Sequence, residues 1–524
     1  MKMSGLIFVF VVALFAAIPT NAAEKLGTVH FPTSCDPKVQ AQFERGVAML
    51  HSYWFTEAGK VFDTVLKQDP NCLMAYWGYA VNLLGNTLSS APSLKNLRAG
   101  EQVLEKARAI EAKTKRERDW IEAVSVFYRD HEKVPNDARL RAYEKAMEQL
   151  TQRYPDDYEA WVYYALTLQA SAPKEDKTYA NQLKSAAILE KLLPQNPEHP
   201  GVAHYLIHAY DYPPLAEKGL DAARRYAAIA PAAPHARHMP SHIYSMVGLW
   251  QDSIASNRSA LEVQPDYYHA TDFMVYAHLQ LAQDAKANAL IEEDHKAGRD
   301  DLLGRDDLPT LASYTGLAVI PARYVLERGD WKGAAGLPVV STKRQMADSL
   351  IRFTRGLGMA RSGDIAGAKR EIEAIQALRS ALQKSDQAYW ADRSEEQILA
   401  VSAWIAHAEG AREQAVKLMR SAADREDASI KHVAMENRLY PMRELLAELL
   451  LESGPPAPAL REFEAALKEN PNRYRGLYGA ARAAEASGNR EKAADYFAKL
   501  VALTKHADTE RPDLAKAKAF LAQR

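Results

Sequence analysis

Six of the chain's 15 histidines, His199, His204, His208, His235, His238 and His242, fall within about 44 residues, where even scattering would leave roughly one. The stretch reads EHPGVAHYLIHAYDYPP and then APHARHMPSHIYSMVGLW. His204 and His208 are four apart with Leu206 and Ile207 between them, a spacing that puts both imidazoles on one helix face, one turn above the other. His238 and His242 repeat it. Two such helices side by side would surround a tetrahedral ion with Zn–N bonds of about 2.0–2.1 Å, which makes His204, His208, His238 and His242 the candidate metal ligands. Imidazole suits Zn or Cu, whereas Mg and Ca prefer oxygen. Glu198, His199 and Asp211 flank the first pair and are candidate outer groups that would hold an imidazole in one tautomer.

Helices must position such pairs, and the composition favours them. Ala, Leu, Glu, Lys and Arg dominate, and valine-rich alternating runs are missing. From residue 36 onward an apolar face of helical period, a tight turn, a small residue and a second such face recur. The clearest mark is a glycine followed five residues later by a small residue, at Gly248/Ser253, Gly329/Ala334, Gly363/Ala368, Gly410/Ala415, Gly454/Ala459 and Gly488/Ala493. The glycine predicts a helix ending in a left-handed conformation, and the small residue a close helix crossing. Ala58, Phe62 and Val65 before Pro70 are matched at the same offsets by Ala459, Phe463 and Ala466 before Pro471, the proline stopping the second helix.

Two of the glycine gaps, Gly329 to Gly363 and Gly454 to Gly488, are 34 residues, and with the A, F, A, P positions they make the chain resemble the tetratricopeptide repeat (TPR) family. Segments such as HFPTSC, DPNCLMAYWG, AHYLIHAY, HMPSHI and NRYRGLYGAARAA are similar to exported bacterial TPR proteins of no settled activity. The resemblance implies an all-α, TPR-type helical-repeat solenoid of about 11–13 antiparallel helix pairs, with a concave groove that meets a protein or peptide partner. Counted back from Pro265, His238 and His242 occupy the columns that face the groove in this family. The next repeat brings Asp272 and Tyr276 to them, with His269 one turn earlier. A turn lengthened by Asp211-Tyr212-Pro213-Pro214 brings His204 and His208 there as well. Because Pro240 fits only a first helical turn, the helix is expected to begin at His238, leaving His235 on the entering loop. His235, His269, Asp272 and Tyr276 are thus the candidate ligand groove around the metal residues.

The same imidazoles fit three readings: a metal site, peptide or small-ligand binding without metal, and a hydrogen-bonded structural network. A metal-dependent hydrolase of unknown substrate is a further alternative, but Tyr205 stands where the HYLIH segment would need a glutamate as general base. No Gly-rich phosphate loop, nucleophile elbow or dinucleotide fingerprint occurs. The aromatic runs Tyr76, Trp77, Tyr79 and Trp161, Tyr163, Tyr164 read as inter-repeat core. Arg438, Arg443 and Glu444 near Pro441 fit either the lining of the C-terminal groove or, better, a solvated face.

At 524 residues the chain exceeds one compact core, and its net charge of −1 removes the electrostatic case for nucleic acid. Residues 1–23 read as a cleavable signal peptide, with Lys2, an apolar run from about Leu6 to Ile18 and small residues at its end. No later segment is apolar enough to span a membrane, so the expectation is an exported protein, periplasmic or secreted. Its only two cysteines, Cys35 and Cys72, are expected to pair in an oxidising compartment, closing a loop worth about 3–4 kcal/mol. A Cys/His metal site with His30 is the alternative. The array is expected to divide into 24–293, which holds the histidines, a charged loop or hinge at 294–309, and 310–524 with a capping helix at its end.

Overall fold

Glycines and small residues end the helices and set their crossings in a computed structural model that describes residues 24–298, 302, 311–339, 341–385, 387–435 and 437–523. The expected signal peptide lies outside the described residues, as does most of the expected hinge. Every small residue of the register is fully buried: Ser253, Ala334, Ala368, Ala415, Ala459 and Ala493. Gly248, Gly329, Gly363, Gly410 and Gly488 have positive φ between 66° and 92°, the left-handed helix ends that only glycine adopts freely. Gly454 departs from the expectation with φ −164°. It precedes Pro455, whose ring forces the residue before it into extended backbone.

Among the described residues there is no β-strand. Helices run in pairs from Gln40–His51 and Phe55–Gln68 to Tyr474–Ala486 and Arg490–Leu503, each packed on its chain neighbour, and the single helix Pro512–Ala522 follows. Several first helices also touch the first helix of the next pair, the contact that makes a solenoid. The chain is an all-α, TPR-type helical-repeat solenoid. Trp77 and Trp120 are fully buried and meet edge to face at 5.1 Å, with Phe31 and Tyr163 against them, so these aromatics are inter-repeat core. A disulfide joins Cys35 to Cys72, pinning the chain ahead of the first helix to the start of Leu73–Leu84. His30 is exposed near Glu44 and has no part in it.

The coil closes on itself. The first helix, Gln40–His51, packs against Pro200–Tyr210, eight helices later, and fills the space where an open groove was expected. The C-terminal repeats fold back on the middle of the chain. Trp250 Nε1 donates to the Asn472 carbonyl at 2.9 Å, and Arg511 pairs with Asp284. Arg473, fully buried, donates to Glu444 at 2.9 and 3.0 Å, to Glu327 at 2.8 Å and to the Tyr276 hydroxyl at 2.8 Å. Glu444 is thus an internal partner, correcting its reading as a solvated residue.

Because Arg473 neutralises two carboxylates away from water, Arg473→Met should destabilise the protein by about 3–5 kcal/mol, the cost of stranding buried charge. Chemical unfolding of the variant checks this, and a loss under about 1 kcal/mol would contradict it.

Candidate metal centre

The first histidine helix, Pro200–Tyr210, is buried at every position. Pro200 supplies the N1 residue, and His199 caps the helix by accepting from the Val202 amide at Nδ1, 3.3 Å. Its other nitrogen donates to Glu159 at 2.8 Å, and Glu159 also receives His51 Nε2 at 2.9 Å. The Tyr205 hydroxyl donates to His51 Nδ1 at 3.0 Å. Burial alone would raise the Glu159 carboxyl, but His199 and His51 outweigh it and hold it down at about 2. Every polar atom of this trio has a partner, so His199 belongs to a structural clasp that joins the first, fourth and fifth helix pairs and does not orient a ligand imidazole. Glu198 is likewise displaced from its expected role. Its carboxylate pairs with Lys25 at the surface and its carbonyl accepts from Thr28, tying down the N-terminal segment.

The second pair lies on two short helices, Pro234–His238 and Pro240–Met246. Pro234 opens the first of them, so His235 is helical and does not sit on an entering loop. Pro240 has no N–H to donate, which breaks the run at Met239, but Met239 keeps helical dihedrals and the two pieces share one face.

The imidazoles form two triads, in each of which one ligand atom per residue lies within 4.8 Å of the others: His204, His208 and His235, and His238, His242 and His269. This regroups the four expected ligands and adds two residues expected only to line the groove. All but the partly buried His235 are buried. Asp272 and Tyr276 do not join them. Asp272 binds Arg323 at both carboxylate oxygens, and Tyr276 is held by Arg473.

Hydrogen bonds assign the tautomers. His242 Nδ1 lies 2.9 Å from Asp211 Oδ2, whose other oxygen accepts from Lys431 Nζ at 2.7 Å. Burial alone would raise the Asp211 carboxyl, but Lys431 and His242 hold it well below the usual range, so it is ionised and His242 Nδ1 must carry the proton. His238 Nδ1 lies 2.6 Å from Asn257 Oδ1, and the Asn257 amide is oriented by its own donation to the Ser253 carbonyl at 2.8 Å. His238 therefore also carries its proton on Nδ1. The two Nε2 atoms face each other at 3.0 Å, and in neutral rings both present lone pairs.

In the other triad His204 Nδ1 donates to the His51 carbonyl at 2.6 Å, leaving Nε2 bare 3.0 Å from His235 Nε2. His235 can donate there if the Tyr267 hydroxyl donates to its Nδ1, 3.0 Å away. Neither nitrogen of His208 has a hydrogen-bond partner among the described residues. Tyr53, in the left-handed conformation at φ 52°, lays its ring against His204 and His235 at 4.5 and 5.1 Å. Phe273 contacts all three rings of the other triad at 5.0–5.1 Å.

Sequence spacing finds the i, i+4 pairs and Asp211. It misses His51, Asn257 and Lys431, whose separations of 153, 19 and 220 residues from the groups they hold leave no local pattern.

No protein-family model matches the chain, and no curated protein matches it. Among solved structures, one described as Naa15/Naa10 bound to HypK-THB aligns over 92% of this chain and 90% of its own, at 12% identity and a TM-score of 0.26. The P58(IPK) TPR domain aligns over 93% of this chain and 99% of its own, at 13% identity and a TM-score of 0.22. Superpositions this loose say nothing of the site, and the fold assignment stands on the helix pairs themselves.

Burial lowers the pKa of His51, His204, His208, His235, His238, His242 and His269. The unfolded chain, with imidazoles near 6.5, then binds more protons than the folded one as pH falls. Stability of the metal-free protein is therefore full above about pH 6.5 and lost below it. Thermal unfolding should show Tm falling between about pH 7.5 and about pH 5, and a flat or rising Tm would contradict the assignment of neutral imidazoles.

Proposed function

We propose that this chain is an exported helical-repeat scaffold that holds a transition-metal ion on buried imidazoles. The observation that carries the reading is the opposition of His238 Nε2 and His242 Nε2 at 3.0 Å with both Nδ1 hydrogens committed elsewhere. Two lone pairs that close repel. A proton between them would leave an imidazolium in a site whose burial disfavours it. A Zn- or Cu-sized ion with bonds of about 2.0–2.1 Å would draw the two atoms to about 3.3 Å, a small adjustment of the geometry present. His269 supplies the third nitrogen of that triad. Asp211 behind His242 is the carboxylate–imidazole arrangement that orients a ligand and raises its basicity. Zn or Cu fits these donors, and Mg or Ca does not.

Export is supported by the Cys35–Cys72 disulfide, since such bonds persist in oxidising compartments. No helix among the described residues is long and apolar enough to cross a membrane.

A second reading, a scaffold for a protein or peptide partner, is favoured by a separate observation. A cleft of about 930 Å³ runs between the two halves of the coil, with Tyr389, Trp390, Arg344, Arg393 and His432 among its walls. Binding there would survive chelation, whereas anything that depends on the imidazoles would not.

The test is elemental analysis of untagged protein after loading with Zn²⁺ or Cu²⁺ and desalting. At least about one equivalent is expected, with affinity lowered about 10–100-fold by Asp211→Asn, which loses the charge behind His242 but keeps its size. Less than about 0.2 equivalents would remove the metal reading and leave the cleft as the functional surface.

A further inference from the structure

We infer that the six imidazoles form a centre for two copper ions, one in each of two adjoining triads. The inference rests on the metal reading above and goes beyond it in number and element.

One ion does not account for the donors. A tetrahedral ion takes four ligands, and six imidazoles are gathered here in two sets of three. An ion among His238, His242 and His269 would resolve their opposed lone pairs but leave His208 as it stands, a buried ring with neither nitrogen partnered among the described residues. Buried polar groups are almost always satisfied, and one that is not points to something that meets it. The two triads thus call for an ion through independent observations, the Nε2 opposition in one and the unpartnered imidazole in the other.

The triads are also close enough to act together. His208 and His242 ring centroids lie 6.1 Å apart, and those of His235 and His238 lie 6.0 Å apart. Within the first triad the spacings reach 6.4 Å, so the gap between triads is no wider than the span of one. Three imidazoles leave an ion of tetrahedral preference one open position.

The donor set selects the element. Imidazoles bring no charge, the Asp211 carboxylate behind His242 is already balanced by Lys431, and the walls over the two triads are the Tyr53 and Phe273 rings. Two divalent ions would bring four positive charges to a neutral donor set behind aromatic walls, and buried charge is costly unless compensated. Two cuprous ions bring half as much, and imidazole is among the ligands that suit copper. Only His235 of the six is partly exposed, which makes the Tyr53, His235 and Tyr267 edge the way in.

The test uses untagged full-length mature chain loaded anaerobically with Cu(I) in the presence of a competing chelator, then desalted. The wild type should keep about two copper per chain, and His208→Leu and His269→Leu should each keep about one. His208→Leu removes no hydrogen bond, so its metal-free form should keep the wild-type helical signal. Should either variant lose that signal, X-ray absorption on the wild type decides, with a copper–copper vector of about 3.5–4 Å expected. About one copper in the wild type, or no copper–copper vector, would overturn the two-ion centre while leaving the metal reading intact. No bound copper and no bound zinc would overturn both. Two zinc ions held as firmly as two coppers would overturn the choice of copper.

Discussion

The Asp211 carboxylate is the point on which the site and the closure of the coil both depend. It ends the helix Pro200–Tyr210, accepts His242 Nδ1 on one oxygen and Lys431 on the other, and is buried. A lone carboxylate there would bear a heavy desolvation cost, and the two partners offset it from opposite halves of the chain. Burial pulls the Lys431 ammonium down to about 8 even though Asp211 pulls it up. By fixing His242 in the Nδ1–H tautomer, Asp211 also leaves Nε2 unprotonated where it faces His238 Nε2. The same contact therefore sets the chemistry of the imidazoles and tethers the segment around Lys431 to the N-terminal repeats.

Ordinary repeat packing brings these groups together. Small residues at helix crossings let the pairs stack closely, and left-handed glycines end each helix on time. What differs from a simple open solenoid is the return of the chain upon itself. The first helix meets Pro200–Tyr210, so the His51 carbonyl reaches His204. The buried Arg473 and Arg323 clusters fasten the later repeats to Tyr276 and Asp272. The face that would line a groove becomes an interior, and its polar residues are sorted into satisfied ion pairs and two clusters of imidazoles.

The fold was legible in the sequence because it is local. Ala459, Phe463 and Ala466 before Pro471 carry the same information as Ala58, Phe62 and Val65 before Pro70, and each set is buried as a helix face. Gly454 misled only because Pro455 overrides it. The i, i+4 histidine spacing was equally readable, since two imidazoles one turn apart share a face wherever that helix goes. Their partition was not. Whether His204 pairs with His235 or with His238 depends on the angle between helices, and the roles of Asp272, Tyr276 and Glu444 depend on arginines 29 to 197 residues away. Those separations are set by closure of the coil, which no single repeat encodes.

The central claim is that His238 Nε2 and His242 Nε2, each unprotonated because its ring carries the proton on Nδ1, converge on a metal ion. Anomalous diffraction at the absorption edge of the loaded metal tests it most directly. A peak within bonding distance, about 2.0–2.1 Å, of both Nε2 atoms is the predicted result. A well-ordered site with no peak there, or with the metal on surface side chains alone, would contradict it.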